Sequence, residues 1–69
     1  MFTELTPERI GNNLKRLIKE SKYKTQEGFA EAVGADPRTV RRWVKHLDSI
    51  STLAYVAKAL EVDVEALLD

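Results

Sequence analysis

Apolar residues recur along the chain three or four positions apart, as on one face of a helix, and no stretch alternates as a strand would. The first apolar stripe consists of Ile10, Leu14, Leu17 and Ile18. A favourable start precedes it, because Thr6 can cap a helix and Pro7 suits the first helical position. The pattern predicts a first helix over about residues 7–21.

Four more apolar helical patterns follow, and each has a capping residue before it: Thr25, Asp36, Ser49 or Ser51, and Asp63. We expect Gly34 to end the second helix and the third to end near Lys45 or His46. The sequence lacks internal repeats and flexible linkers. It therefore predicts an all-α fold, a compact bundle of five short helices in one domain over residues 1–69.

The segment 26–43 has the residues that two helices need when they cross steeply over a short turn. Ala30 is small enough for the crossing point. Gly34 can adopt the left-handed conformation that such a turn requires. The apolar wedge shared by the two helices would be Phe29, Val33, Val40 and Trp43.

The third predicted helix has two different faces. Its four basic residues fall within about 100° of arc: Arg38, Arg41, Arg42 and Lys45. Val40, Trp43 and Val44 fall on the opposite side, and Thr39 lies at the border. An α-helix fits the major groove of DNA, where arginine can bond both acceptors of a guanine edge. Because solvated helix faces usually mix signs, this face favours DNA recognition over plain solvation.

The net charge of zero hides an uneven distribution. Residues 9–24 carry +5 and residues 37–46 carry +4, whereas residues 47–69 carry −4. Such asymmetry points to a polyanion on one side of the molecule. On charge alone, two solvated helix faces would explain it equally well.

Composition narrows the possible functions. Without cysteine there is no disulfide framework or thiolate metal site, and His46 is the single histidine. We therefore expect no metal, cofactor or small-molecule ligand, and no enzyme, since no nucleophile–base pair or phosphate loop is present. The apolar run 53–57 is too short for a membrane, and the start of the chain does not resemble a signal peptide. A cytoplasmic location is expected.

Residues 25–43, TQEGFAEAVGADPRTVRRW, resemble the helix-turn-helix of the phage repressor and Cro family. Residues 56–68, VAKALEVDVEALL, are similar to the closing helices of that family. The likeness covers about residues 8–68. It implies a lambda repressor-like bundle in which helices 2 and 3 form the helix-turn-helix and helix 3, about residues 37–45, lies in the major groove.

The resemblance also implies roles for individual residues. Base edges would be read by Arg38, Arg41 and Arg42, whereas Pro37 shapes the helix start. Gln26 and Thr39 would lie at the DNA backbone, and Lys45 would neutralise phosphate. We thus expect a sequence-specific regulator of transcription, a repressor, that binds a palindromic operator as a homodimer.

Departures from the family leave alternatives open. His46 stands where members of the family have a glycine. The loop after it is two residues shorter than the corresponding loop of the family. We interpret His46 as a solvent-facing residue that the dipole of the third helix favours. Gly28, inside helix 2, indicates either close approach to DNA or tolerated drift. A competing hypothesis is a protein-interaction module of this fold, antitoxin-like, with weak or no DNA binding.

The predicted dimer would use the C-terminal third of the chain, where apolar side chains exceed what one small core obviously needs. The residues in question are Leu53, Tyr55, Val64, Leu67 and Leu68. The alternative is that all five close the core of the monomer.

Overall fold

The computed structural model describes residues 5–69, which form five helices and no strand. They are α1 (Pro7–Glu20), α2 (Gln26–Val33), α3 (Pro37–Lys45), α4 (Ile50–Leu60) and α5 (Val64–Leu68). The Cα radius of gyration is 11.1 Å. The predicted all-α fold is confirmed. Residues 1–4, on which the signal-peptide interpretation partly depends, lie outside the described residues.

None of the helices in residues 5–69 combines the length and the apolar character needed to cross a bilayer.

Short-range capping bonds fix where the helices begin. Four predicted caps accept a hydrogen bond from a backbone N–H in the first turn: Thr6 (3.1 Å), Thr25 (2.9 Å), Asp36 (2.8 Å) and Ser49 (3.3 Å). Ser49, not Ser51, caps α4. Asp63 occupies the predicted cap position of α5, but its side chain makes no capping hydrogen bond.

The core takes side chains from all five helices. Its buried members are Leu14, Ile18, Phe29, Ala30, Val40, Val44, Leu47, Val56, Ala57 and Leu67. Tyr23 joins this core at its edge: its ring packs edge-on against Phe29 at 5.4 Å, and its hydroxyl donates to the Ala59 carbonyl at 3.3 Å. Burial of each large apolar side chain stabilises the fold by about 1.5–3 kcal/mol.

Residues 34–36 alone connect α2 to α3. Gly34 has a φ of +71°, as its predicted role requires, and its N–H donates to the Glu31 carbonyl at 3.3 Å. The N–H of Ala35 donates to the Ala30 carbonyl at 2.9 Å, which completes the helix end. The chain therefore turns sharply into α3, whose apolar side packs onto α1 and α2.

The backbones of α1 and α3 come unusually close at Gly11. A Cβ built on this buried glycine would lie 2.7 Å from the Val44 carbonyl oxygen and 2.8 Å from that of Trp43. Contacts that short do not occur in real structures, so only glycine fits there without a shift. Gly11 therefore sets how closely α3 lies against α1.

The fold explains why position 28 is a glycine, and neither interpretation from the sequence anticipated this explanation. A Cβ at this position would lie 2.9 Å from the Tyr23 carbonyl oxygen and 3.1 Å from the Thr25 hydroxyl. The glycine lets the turn between α1 and α2 fold back onto the first turn of α2. These contacts explain a glycine inside α2 without a close approach to DNA and without tolerated sequence drift.

Candidate nucleic-acid interface

The two faces of α3 differ as the sequence predicts. Val40 and Val44 are 0% and 7% exposed, and Trp43 is half-buried against the core. All four basic residues of the opposite face are exposed: Arg38, Arg41, Arg42 and Lys45. The core thus holds α3 from one side and leaves its cations available on the other.

Two of these arginines have carboxylates nearby, both from outside α3. The Nε of Arg38 lies 3.8 Å from Asp36 Oδ1, with 85% of the arginine side chain exposed. The Nη1 of Arg41 lies 3.8 Å from Glu27 Oε2. Exposed pairs of this kind contribute only about 0–1 kcal/mol, so a phosphate or a base can replace either carboxylate at little cost.

An open cleft of about 460 Å³ lies where α1, α2 and α3 meet. It gathers three of the residues predicted to touch DNA, namely Gln26, Arg41 and Lys45. Lys15 of α1 lines the same cleft. Cations from two helices and an amide therefore converge beside the exposed face of α3.

A second cleft, of about 320 Å³, extends this basic surface along α1. It shares Lys15 and Gln26 with the first cleft and adds Lys19 and Lys24. The sequence singled out none of these three lysines as site residues. They belong to residues 9–24, which carry a net charge of +5, and this local excess of positive charge is the sequence feature that could have identified them.

The remaining predicted residues lie elsewhere on α3. Arg38 and the half-buried Thr39 line neither cleft. Arg42 lines a separate groove of about 370 Å³ together with Trp43, Lys45 and His46. Arg38 and Arg42 thus lie outside the two clefts that α1 and α2 help to line.

His46, the residue after α3, lies between two carboxylates. Its Nδ1 is 2.7 Å from Glu8 Oε2, and its Nε2 is 3.3 Å from Asp48 Oδ2. These hydrogen bonds, the one to Glu8 first, raise the pKa of His46 above 6.5. A hydrogen bond with its own backbone, followed by the His46 ring, lowers the pKa of Glu8 below 4.5. The exposed position was predicted, but the carboxylate partners were missed.

The C-terminal apolar residues divide into two groups. Leu67 is fully buried and Leu53 packs half-buried against the core, so both close the core of the monomer, while Leu68 is half-buried. Tyr55 and Val64 are 49% and 37% exposed. Ile50, which the sequence did not single out, is 84% exposed and is the most exposed large apolar side chain of the described residues.

Comparison with known proteins finds no match to this chain among family models, curated proteins or solved structures.

Proposed function

We propose that this protein is a sequence-specific regulator of transcription, a repressor, that binds double-stranded DNA with α3 in the major groove. The observation that carries the proposal is α3 itself. One face is locked into the core, and the other presents four exposed cations without an acid among them. A helix of this kind fits the major groove and can bond guanine edges and phosphates.

The connection between α2 and α3 supports a helix-turn-helix. Only residues 34–36 separate the two helices, Gly34 is left-handed, and Ala30 is completely buried beside the turn. These features match the resemblance of residues 25–43 to the repressor and Cro family. In this arrangement α3 is the recognition helix, and α2 lies across the DNA backbone.

The contacts divide by chemistry. Arg38, Arg41 and Arg42 read base edges, because the guanidinium group can bond two acceptors at once. The DNA backbone is contacted by Gln26, Thr39 and Lys45. The lysines of the neighbouring cleft add positive charge where the backbone runs past α1.

Binding to mixed-sequence duplex DNA at increasing salt tests the proposal. The double variant Arg38→Gln/Arg42→Gln should bind more weakly to mixed-sequence DNA, because without a preferred site these arginines act by neutralising phosphate. The slope of log affinity against log salt should then become shallower by up to about 2, roughly one for each lost cation. The matched control is Arg9→Gln/Arg16→Gln. Those arginines lie on α1 roughly 140–160° around the helix from Gly11, which faces α3, so their loss should matter much less.

Equal losses from the two double variants would show that α3 has no special role. Absence of duplex binding by a folded protein would leave the competing hypothesis, a protein-interaction module.

A preferred site, once selected, separates base readers from phosphate contacts. Loss of one base-reading arginine should cost about 1–3 kcal/mol on that site and relax specificity at one position. Lys45→Ala should instead weaken binding to all sequences about equally.

Dimerisation on a palindromic operator is part of the proposal, because one small domain contacts too few base pairs for useful specificity. The half-sites would lie about 34–36 Å apart. In the C-terminal third, Ile50, Tyr55 and Val64 are exposed apolar side chains that a second copy could cover. Sedimentation with one and with two half-sites tests this: a second bound chain is expected, and a strict ratio of one chain per duplex would exclude the dimer.

A further inference from the structure

The C-terminal end of α3 is fastened to the N-terminal end of α1. The N–H of Leu47 donates to the Pro7 carbonyl at 3.0 Å, and the Leu47 side chain is 2% exposed. The next side chain back, His46, bonds Glu8 at 2.7 Å in the first turn of α1. The position of the proposed recognition helix therefore depends on a backbone bond, a buried leucine and one titratable contact.

Both ring nitrogens of His46 face carboxylates, and this makes the contact sensitive to protons. An imidazolium can donate a hydrogen bond from each nitrogen, to Glu8 from Nδ1 and to Asp48 from Nε2. A neutral imidazole has one N–H only, so one carboxylate then faces a lone pair. The arrangement favours the protonated ring, as does the hydrogen bonding that raises the pKa of His46.

Charges of both signs surround the ring. Among the described residues, α1 contributes Glu8, the following loop contributes Asp48, and α3 contributes Arg42 and Lys45, which line one groove with His46. Glu8 and Lys45 also line the larger basic cleft. When the ring loses its proton, it no longer offsets the negative charge of the two carboxylates, which lie beside the cations proposed to meet DNA.

We propose that His46, Glu8 and Asp48 form a proton-sensitive clasp at the end of α3, through which a fall in pH tightens the binding of duplex DNA. The inference rests on the proposed function and adds a regulator to the same surface. Protonation restores one positive charge near the phosphates and fastens α3 to α1 at the same time. By linkage, DNA must raise the pKa of His46 by the amount that protonation strengthens binding.

The single histidine makes the clasp directly measurable. The His46 ring resonances are titrated by NMR in the free protein and in its complex with a mixed-sequence duplex. Affinity for that duplex is measured at fixed ionic strength over roughly pH 5 to 8, where histidine titrates. We expect a higher His46 pKa in the complex; a rise of half a pH unit corresponds to about threefold tighter binding of the protonated form.

Three variants define the mechanism. His46→Gln should abolish the pH dependence over this range. Glu8→Gln should lower the His46 pKa and reduce the gain in affinity on acidification. Glu20→Gln, which removes an exposed carboxylate elsewhere on α1, is the control for charge and should behave like the wild type.

Two results would overturn the inference while duplex binding remains intact: a His46 pKa that is the same with and without DNA, or a pH dependence that survives in His46→Gln. Failure to bind the duplex at any pH would instead refute the proposed function, and the inference with it.

Discussion

At the scale of single residues, three positions within residues 5–69 adopt the left-handed conformation: Lys24 (φ +65°), Gly34 (φ +71°) and Glu61 (φ +59°). Gly34 and Glu61 end their helices in the same way. Each donates its N–H back into the last turn, and the next residue bonds a carbonyl five positions earlier. One helix end thus has the residue suited to this conformation, and the other has a glutamate that pays a steric cost.

Replacement of Gly34 by valine should destabilise the fold by about 1–3 kcal/mol. A Cβ at this position meets no atom within 4 Å, so the cost comes from the backbone conformation and not from a collision. Chemical denaturation measures it. Gly34→Asn is the matched control, because asparagine tolerates the left-handed region, and it should lose clearly less stability. Equal losses in both variants would contradict the backbone explanation.

The reverse change, Glu61→Gly, should stabilise the protein. Relief of the left-handed conformation is worth about 1–2 kcal/mol, and the greater freedom of glycine in the unfolded chain offsets about 0.5–1 kcal/mol. A net gain of roughly 0.5–1 kcal/mol is expected in the free energy of unfolding. A lower midpoint of denaturation than the wild type would contradict this expectation.

The Glu8–His46 pair should make stability depend on pH in a defined window. The pKa of His46 is raised, so its contribution is complete below its unfolded value of 6.5 and is lost as pH rises through the folded value. The pKa of Glu8 is lowered, so its contribution is complete above 4.5 and is lost as pH falls through its folded value.

The two contributions overlap fully between pH 4.5 and 6.5. The difference in melting temperature between wild type and His46→Gln should therefore be largest in that window. A difference that is constant from acid to alkaline pH would contradict the pairing.

At the scale of helices, the sequence predicts those features, such as helix caps and helix faces, that depend only on residues close in the chain. The caps Thr6, Thr25 and Asp36 act within three residues, and the two faces of α3 follow from helical spacing alone. These features are found as predicted. Of the two serines predicted as alternative caps of α4, Ser49 takes that role.

Contacts between distant helices could not be predicted in the same way. The Glu8–His46 bond joins residues 38 apart, and the Asn13 amide donates to the Leu67 carbonyl, 54 residues away, at 2.7 Å. Gly11 carries no local signal either, because its role arises only where α3 crosses α1. The convergence of Lys15 with Gln26 and Arg41 depends on the same crossing.

Gly11→Ala tests how closely α1 and α3 pack. Alanine favours a helix over glycine by about 1 kcal/mol, which would stabilise an exposed position. At Gly11 the added methyl group would meet two backbone carbonyl oxygens within 2.8 Å, so overpacking of about 1–3 kcal/mol should outweigh that gain. Asn12→Ala, at the next and exposed position, is the control and should be neutral or stabilising. Stabilisation by Gly11→Ala would show that the helices do not meet there.

At the scale of the whole molecule, the charges sum to zero but are unevenly distributed. Five basic residues line the two clefts beside the exposed face of α3, whereas residues 47–69 carry a net charge of −4; the five are Lys15, Lys19, Lys24, Arg41 and Lys45. The acidic part should turn away from phosphate and leave Ile50, Tyr55 and Val64 available to a second copy. We therefore expect the uneven charge to orient the protein on DNA before any side chain contacts a base.

The central claim is that α3 and the clefts beside it meet duplex DNA, and backbone amide NMR during titration with a duplex tests it most directly. We predict that shifts concentrate on residues 37–46 and on Lys15, Lys19, Lys24 and Gln26, and weaken as salt is added. The core amides of α4 should change little. Shifts confined to α4 and α5, or none at all in a folded protein with excess DNA, would contradict the account.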